Sequence, residues 1–335
     1  MSRDRFAGTA LLCLVVFSST VCIGAFGPLL PEIARAQGLP DWELGVLAGS
    51  FGLARMAADL PAGALATRRL ATALTLAPVT LLAGMLLLAT AGPLPVLVLG
   101  RILTGLAHTL LAAATPVLVT LAATLALARY FPARLGAEAP APGSAGAASA
   151  IPPGRPSLPP IVRLMFALGV IMALAWSAVS QFVIPLRGTR EFGLDRAGIS
   201  GLLSVAQLVD LAVLLPVGWL ADRVGRPPVL VGVAAVLGVG LFAVGLGSLP
   251  LLGLGCALFG LGMAGWMLPL GVIRDHTDGG RLGWRTGVYR VGVDGAIFLG
   301  PVVCGLLGEG RAPIFIGLIG VAAFAIAGRL WWLRA

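Results

Sequence analysis

Apolar residues run along this chain in long blocks, separated by short polar turns that usually contain arginine. A helix needs about 20 such residues to cross a bilayer, with about 17 to 25 tolerated. Ten blocks meet that need: 7–30, 43–64, 71–91, 95–129, 161–186, 197–218, 228–247, 249–273, 287–307 and 312–333. A lone segment in lipid can satisfy its own backbone only as a helix, so the pattern predicts an all-α membrane protein. The stretch 130–160, rich in Pro, Gly, Ala and Ser, reads as a flexible cytoplasmic linker. It divides an N-terminal bundle of about four spans, 1–129, from a C-terminal bundle of six, 161–335.

One block breaks the rule of length. From Pro95 to Arg129 there are 35 residues, about 52 Å of helix at about 1.5 Å per residue, against a hydrocarbon core of about 30 Å. Two crossings here would invert every later loop, so the pattern predicts one over-long helix, bent at Pro116.

Composition agrees and sharpens the orientation. Hydrophobic residues make up 58% of the chain and charged residues 11%, with a mean hydropathy of +1.00, which excludes a soluble globular domain. All 23 basic residues are arginine and the net charge is +9. They are scattered between apolar blocks, a distribution that argues against nucleic-acid binding and for loops on an anionic membrane face. With the N-terminus inside, fifteen arginines fall in cytoplasmic segments. Only Arg35, Arg187, Arg190, Arg196 and Arg311 fall outside, and Arg55, Arg101 and Arg290 lie within spans. Both termini are therefore expected in the cytoplasm, the membrane being a bacterial inner membrane. Arg3 and Arg5 precede a block too long for a signal-peptide core, hence an uncleaved first span. Cys13, Cys22, Cys256 and Cys304 all sit in apolar blocks without metal-ligand spacing, as small packing residues.

The chain also repeats itself. Leu215-Pro216-Val217-Gly218-Trp219-Leu220-Ala221-Asp222-Arg223-Val224-Gly225-Arg226 has a degraded copy, Leu60-Pro61-Ala62-Gly63-Ala64-Leu65-Ala66-Thr67-Arg68-Arg69-Leu70, 155 positions earlier, and Gly38-Leu39 matches Gly193-Leu194 at the same offset. A basic, glycine-bearing turn at the same place in two hydrophobic halves is the internal symmetry of a duplicated carrier. Gly63 and Gly218 are read as points of close helix approach, and Asp222, Arg223 and Arg226 as a charge relay tying one span to the next.

On these residues the chain resembles the major facilitator superfamily, whose mark is a cytoplasmic turn G-x-L-a-D-r-x-G-r after the second and eighth spans. Gly218, Leu220, Ala221, Asp222, Arg223, Gly225 and Arg226 match it in full. The first copy keeps Gly63, Leu65, Ala66 and Arg68 but has Thr67 for the aspartate and Leu70 for the glycine. Gly100-Arg101-Ile102-Leu103-Thr104-Gly105 is similar to the family's fourth-span arginine motif. Arg285-Thr286-Gly287, leading to Gly300-Pro301, resembles its eleventh span. The resemblance implies a two-bundle helical transporter, here with an incomplete first half, since twelve spans are usual and a fifth helix with its flanks is missing. It further implies that the second and eleventh spans face each other across the halves, and that the fourth-span arginine takes part in proton coupling.

Ionisable groups inside a membrane need a partner, a wet cavity or a route to the surface. Arg55 and Asp59 lie four apart on the second span, and Arg290 and Asp294 four apart on the eleventh-like span, so each pair shares one helical face. Cross-pairing of Arg55 with Asp294 and of Arg290 with Asp59 would make a cytoplasmic gate holding an outward-open state; the plainer alternative is two separate intrahelical pairs. Arg101, with His108 two turns on along the same face, is expected to bind a substrate carboxylate, hold an acid ionised or brace backbone carbonyls. Asp210, with Gln207 one turn before it, is the deepest acid of the second half and the first candidate for carrying a coupling proton.

The reading is a secondary transporter moving a small solute by alternating access, coupled to protons, with efflux favoured. No catalytic residue, metal or cofactor is expected, and there is no lysine for a nucleotide-binding G-x-x-x-x-G-K-[ST] loop. The expected partners are a small-molecule substrate, protons and the lipid bilayer, with no nucleic acid. A shortened, transport-impaired member that only binds or assembles is the alternative. A membrane-embedded transferase is a third reading, for which Asp275, His276 and Asp278 supply the one local acid cluster.

Overall fold

In a computed structural model the described residues are Val21, 23–90, 92–130 and 158–333, with 114–130 described only as backbone. Every secondary-structure element among them is helical. Helix α1 covers 23–37, followed by α2 (Asp41–Arg68), α3 (Leu70–Ala89) and α4 (Leu94–Tyr130). The second half holds α5 (Pro160–Ala178), α6 (Ile184–Arg190), α7 (Arg196–Val224), α8 (Arg226–Leu246), α9 (Leu249–Met263), α10 (Leu268–Asp275), α11 (Gly279–Leu307) and α12 (Ala312–Trp332). Eight of the helical segments are long and apolar enough to cross a membrane. The charges Asp41, Glu43, Arg55, Asp59 and Arg68 set α2 apart from these.

The long fourth block is one helix of 37 residues, as parity required; Pro116 lies where only the backbone is described. Most of the predicted linker, together with Cys13 and Cys22, falls outside the described residues. Other boundaries move. The eleventh-like span starts at Gly279 rather than 287, because the helix continues past the apolar block through Arg281 and Arg285. The block 249–273 is broken by a turn at 264–267 into α9 and α10. Helices α5 and α6 run on through a π-helical turn, Val179–Val183, which carries Arg187 and Arg190 into the helix rather than a loop.

The repeat has a backbone counterpart. Gly38 and Gly193, 155 apart, both take a left-handed conformation, with φ of 63° and 64°, and each precedes a long helix. Asp195 caps α7 by accepting from the Gly198 amide at 2.8 Å; its counterpart Pro40 offers no such bond. At the other end the copies diverge. Gly225 turns the chain at φ 92° between α7 and α8, a conformation closed to the Leu70 that replaces it in the first half, where Arg69 makes the turn at φ −143°.

Two clusters make the core. The larger runs across both halves, from Phe26, Leu44, Leu47 and Phe51 to Met172, Phe182, Ile297 and Ile316. The smaller, Ala62, Ala66, Ala73, Ala77, Leu110 and Leu111, belongs to α2–α4 alone. The halves are thus sewn together toward the end that carries Asp41, and each keeps to itself toward the end that carries Asp222. The seam is α2 against α11. A methyl group at Gly45 would stand 2.5 Å from the Pro301 carbonyl oxygen, one at Gly49 2.5 Å from that of Phe298, and one at Gly52 would collide with the Phe298 amide. Gly63 and Gly218, expected to be the close approaches, have nothing within 4 Å of such a methyl. They sit near helix ends that diverge, so that expectation is corrected.

Candidate functional site

Helices α2, α4 and α11 bring four charged side chains together midway along the seam. Arg55 donates from Nε to Asp294 Oδ1 at 2.7 Å. Asp294 is 1% exposed and Arg55 15%. Arg290 Nε lies 3.5 Å from Asp59 Oδ2. The pairs are therefore crossed between the halves, not closed within each helix. The match follows from antiparallel packing: residues four apart on α2 meet residues four apart on α11 in reverse order.

Asp59 is the unusual member. Both its oxygens are buried without a hydrogen-bond partner, in the same cluster as Asp294, and the nearest cation among the described residues is Arg290 at 3.5 Å. Two acids in one buried cluster repel each other unless cations or a proton offset their charge. His108 of α4 stands within electrostatic reach of Arg55, Asp294 and Arg290. Its ring lies 5.9 Å from that of Phe51.

Phe51 links this quartet to a second group. The Arg55 guanidinium carbon is 5.6 Å from the Phe51 ring centroid and that of Arg101 5.1 Å. Arg101 is 1% exposed and stacks on Phe26 at 3.7 Å. Its Nη2 donates to the Ala48 carbonyl at 3.5 Å and to Gln181 Oε1 at 3.3 Å. Gln181 belongs to the second half, on the π-helical turn. Neither it nor Phe26 and Phe51 was singled out in the sequence, because a lone Gln or Phe in an apolar block carries no pattern of its own. Arg101 and His108 do share a face, as expected, with Phe51 filling the space between them.

The other expected residues lie apart. Gln207 is exposed and Asp210 half-buried on α7, whose outer surface of Leu208, Leu211 and Leu215 is uncovered within the chain. No charge relay forms at the repeated turn. Among the described residues Asp222 makes no ion pair, Arg223 stacks on Trp219 at 4.1 Å, and Arg226 bonds Asp275 on α10 and, at 3.2 Å, the Gly271 carbonyl. The expected relay is corrected: the helix end turns the Asp222 side chain outward, and Arg226 finds its acid across the half. Asp275 is thereby occupied in an ion pair rather than paired with Asp278.

The gate reading also needs correction in one respect. The charged quartet was expected to accompany an outward-open arrangement, yet it is formed while the Asp41 end is shut. There Arg190 bonds Asp41 at 2.8 Å and Glu309 at 3.2 Å, and Arg196 forks onto Glu32. The steric seam of Gly45, Gly49 and Gly52 lies between that clasp and the quartet, so the quartet forms deeper in the molecule while the end above it is closed.

With the geometry in place, comparison with known proteins is direct. The family model described as Major Facilitator Superfamily matches residues 161–335. Among solved structures, that of the nucleoside transporter NupG superposes with a TM-score of 0.68 at 12% identity, covering 96% of this chain and 98% of that one. A bacterial homologue of the iron transporter ferroportin, in an inward-facing state, superposes at 0.62 with 14% identity over 98% of each chain. A bacterial metal transporter does so at 0.61 with 16% identity over 96% of each. At these identities the likeness concerns the fold. No curated protein matches the chain.

Proposed function

Since the chain belongs to the major facilitator superfamily and is a secondary transporter of that type rather than an enzyme, we propose that it couples movement of a small solute to protons taken up at Asp59 and Asp294. The observation that carries this is the quartet of two acids and two arginines at the seam between the halves, in which both oxygens of Asp59 are buried without a hydrogen-bond donor. A proton there removes one negative charge from a quartet of two acids and two arginines. The crossed ion pairs that join α2 to α11 then weaken, and the halves are freed to rock. His108, beside the quartet, relays the proton along α4. Asp210, with Gln207, is a secondary proton site on α7.

The favoured direction is export. The arginine excess supports a cytoplasmic Asp222 end and cytoplasmic termini, in the reading of the membrane as a bacterial inner one. The present arrangement is joined at the opposite, Asp41 end, which supports loading from inside.

Infrared difference spectra of the reconstituted protein test the proton site without a known substrate. A protonated-carboxyl band should be present in the wild type and vanish in Asp59→Asn. A wild-type protein with no such band, or an Asp59→Asn variant that keeps it whole, removes the reading.

A further inference from the structure

Two arginines of the described chain are buried, Arg187 and Arg101, and they are treated very differently. Arg187 is matched in full. Glu191 takes its Nε and Nη2, and the carbonyls of Val244 and Gly247 take Nη1 at 2.5 Å and Nη2 at 2.7 Å. It is a strut that closes the end of α8. Among the described residues Arg101 has two long bonds from Nη2 to neutral oxygens, none from Nη1, and a buried Nε with no partner. No carboxylate among those residues forms an ion pair with it.

An unpaired guanidinium in a dry interior is costly, and stacking on an aromatic ring offsets only part of that cost. Phe26 covers one face of the group at 3.7 Å, and the edge formed by Nε and Nη2, the edge through which Arg187 and Arg196 fork onto their acids, meets only neutral oxygens among the described residues. That is the edge from which a planar oxyanion accepts from arginine.

We infer that Arg101 is the recognition point for an anionic substrate, and that the transported solute carries a carboxylate. The inference rests on the reading of the chain as a coupled carrier and adds the substrate class. The carboxylate pairs with the Nε and Nη2 donors at the junction of α1, α2, α4 and the π-helical turn. There it competes with Gln181 Oε1 for the same guanidinium. Gln181 belongs to the other half, and π-turns are irregularities that recur at functional sites, so occupation of Arg101 acts on a contact between the halves. Phe51, touching both Arg101 and Arg55, sets the anion beside the proton site.

Thermal unfolding of the full-length protein in detergent, at fixed ionic strength, tests this with monocarboxylates from acetate to benzoate, with benzamide and benzylamine as neutral and cationic counterparts, and with inorganic phosphate. At least one carboxylate should raise the midpoint while benzamide and benzylamine do not. In Arg101→Gln its affinity should fall at least tenfold, and Arg101→Lys should retain part of it. Unliganded Arg101→Gln should melt no lower than wild type, because it removes an unpaired buried charge, whereas a purely structural arginine would lower the midpoint when lost. Carboxylate inactivity, a response to phosphate alone, or an Arg101→Gln variant that melts lower and keeps its carboxylate response each overturns the assignment. The Asp59 infrared band, read on the same sample, separates failure of the anion site from failure of the proton reading.

Discussion

Arg55 and Asp294 meet at 2.7 Å with both side chains largely out of solvent, so removing either partner strands the other. Breaking a buried pair on one side costs about 3–5 kcal/mol, far more than the about 0–1 kcal/mol of an exposed pair. Asp294→Asn and Arg55→Gln should each destabilise the protein on that scale. The exchanged variant Arg55→Asp with Asp294→Arg should recover more than half of the loss; denaturation of all three in detergent makes the comparison, and an exchange no better than the single variants argues against the pair. The four-residue spacings placed each charge on a helical face, and the family resemblance placed the faces opposite each other. What no spacing could show is that Asp59 is left without a donor, since that depends on how far Arg290 reaches across the seam.

At the scale of the element, glycine is where the sequence was least legible. Gly63 and Gly218 lie in the repeated motif, yet the contacts are made by Gly45, Gly49 and Gly52 on α2, one turn or so apart and on one face. Small residues let helix backbones approach in lipid, but composition alone does not say which face is turned to a neighbour. The two groups should respond with opposite sign. In a helix, alanine is favoured over glycine by about 0.5–1 kcal/mol. At Gly218, where nothing lies within 4 Å of a new methyl, Ala is expected to raise the unfolding midpoint slightly. At Gly49 a side chain meets the Phe298 carbonyl at 2.5 Å, and overpacking at about 1–3 kcal/mol outweighs the propensity gain. Gly49→Val should therefore lower the midpoint and part α2 from α11.

For the whole molecule, closure at the Asp41 end combines that glycine seam with an ionic clasp, Asp41–Arg190–Glu309 and Glu32–Arg196. The clasp is partly exposed, so solvent screening leaves each pair weak, and it biases closure rather than holding it. Spin labels at Ala36 and Arg311, both exposed and on opposite halves, should report one short distance in the wild type. In Arg190→Ala, which leaves Asp41 and Glu309 facing each other, a longer distance should appear with a population raised by no more than a few-fold. The hydrogen bond from Arg196 holds the Glu32 carboxyl below its usual range. Its contribution is thus complete above the ordinary value of about 4.3 and lost only as pH falls through the lowered one. An unchanged distance distribution in Arg190→Ala would assign closure to the seam alone. The two halves stay unequal at this scale: the second supplies six span-like segments, and the first supplies α1–α4 with the over-long α4.

Whatever depends on a residue and its near neighbours in the chain was determined by the sequence. The helical blocks, the continuity of α4 as one helix, the family and the duplicated turns at Gly38 and Gly193 follow from hydropathy and local backbone preference, which act over a few residues. The tertiary structure alone decided which glycines touch, that Asp59 is buried without a hydrogen-bond donor, that Arg226 takes Asp275 in place of Asp222, and that Arg101 is buried without an acid among the described residues. Those are relations between helices far apart in sequence. They are set by the rotation and depth at which each helix docks, and side-chain packing across the whole bundle fixes both at once.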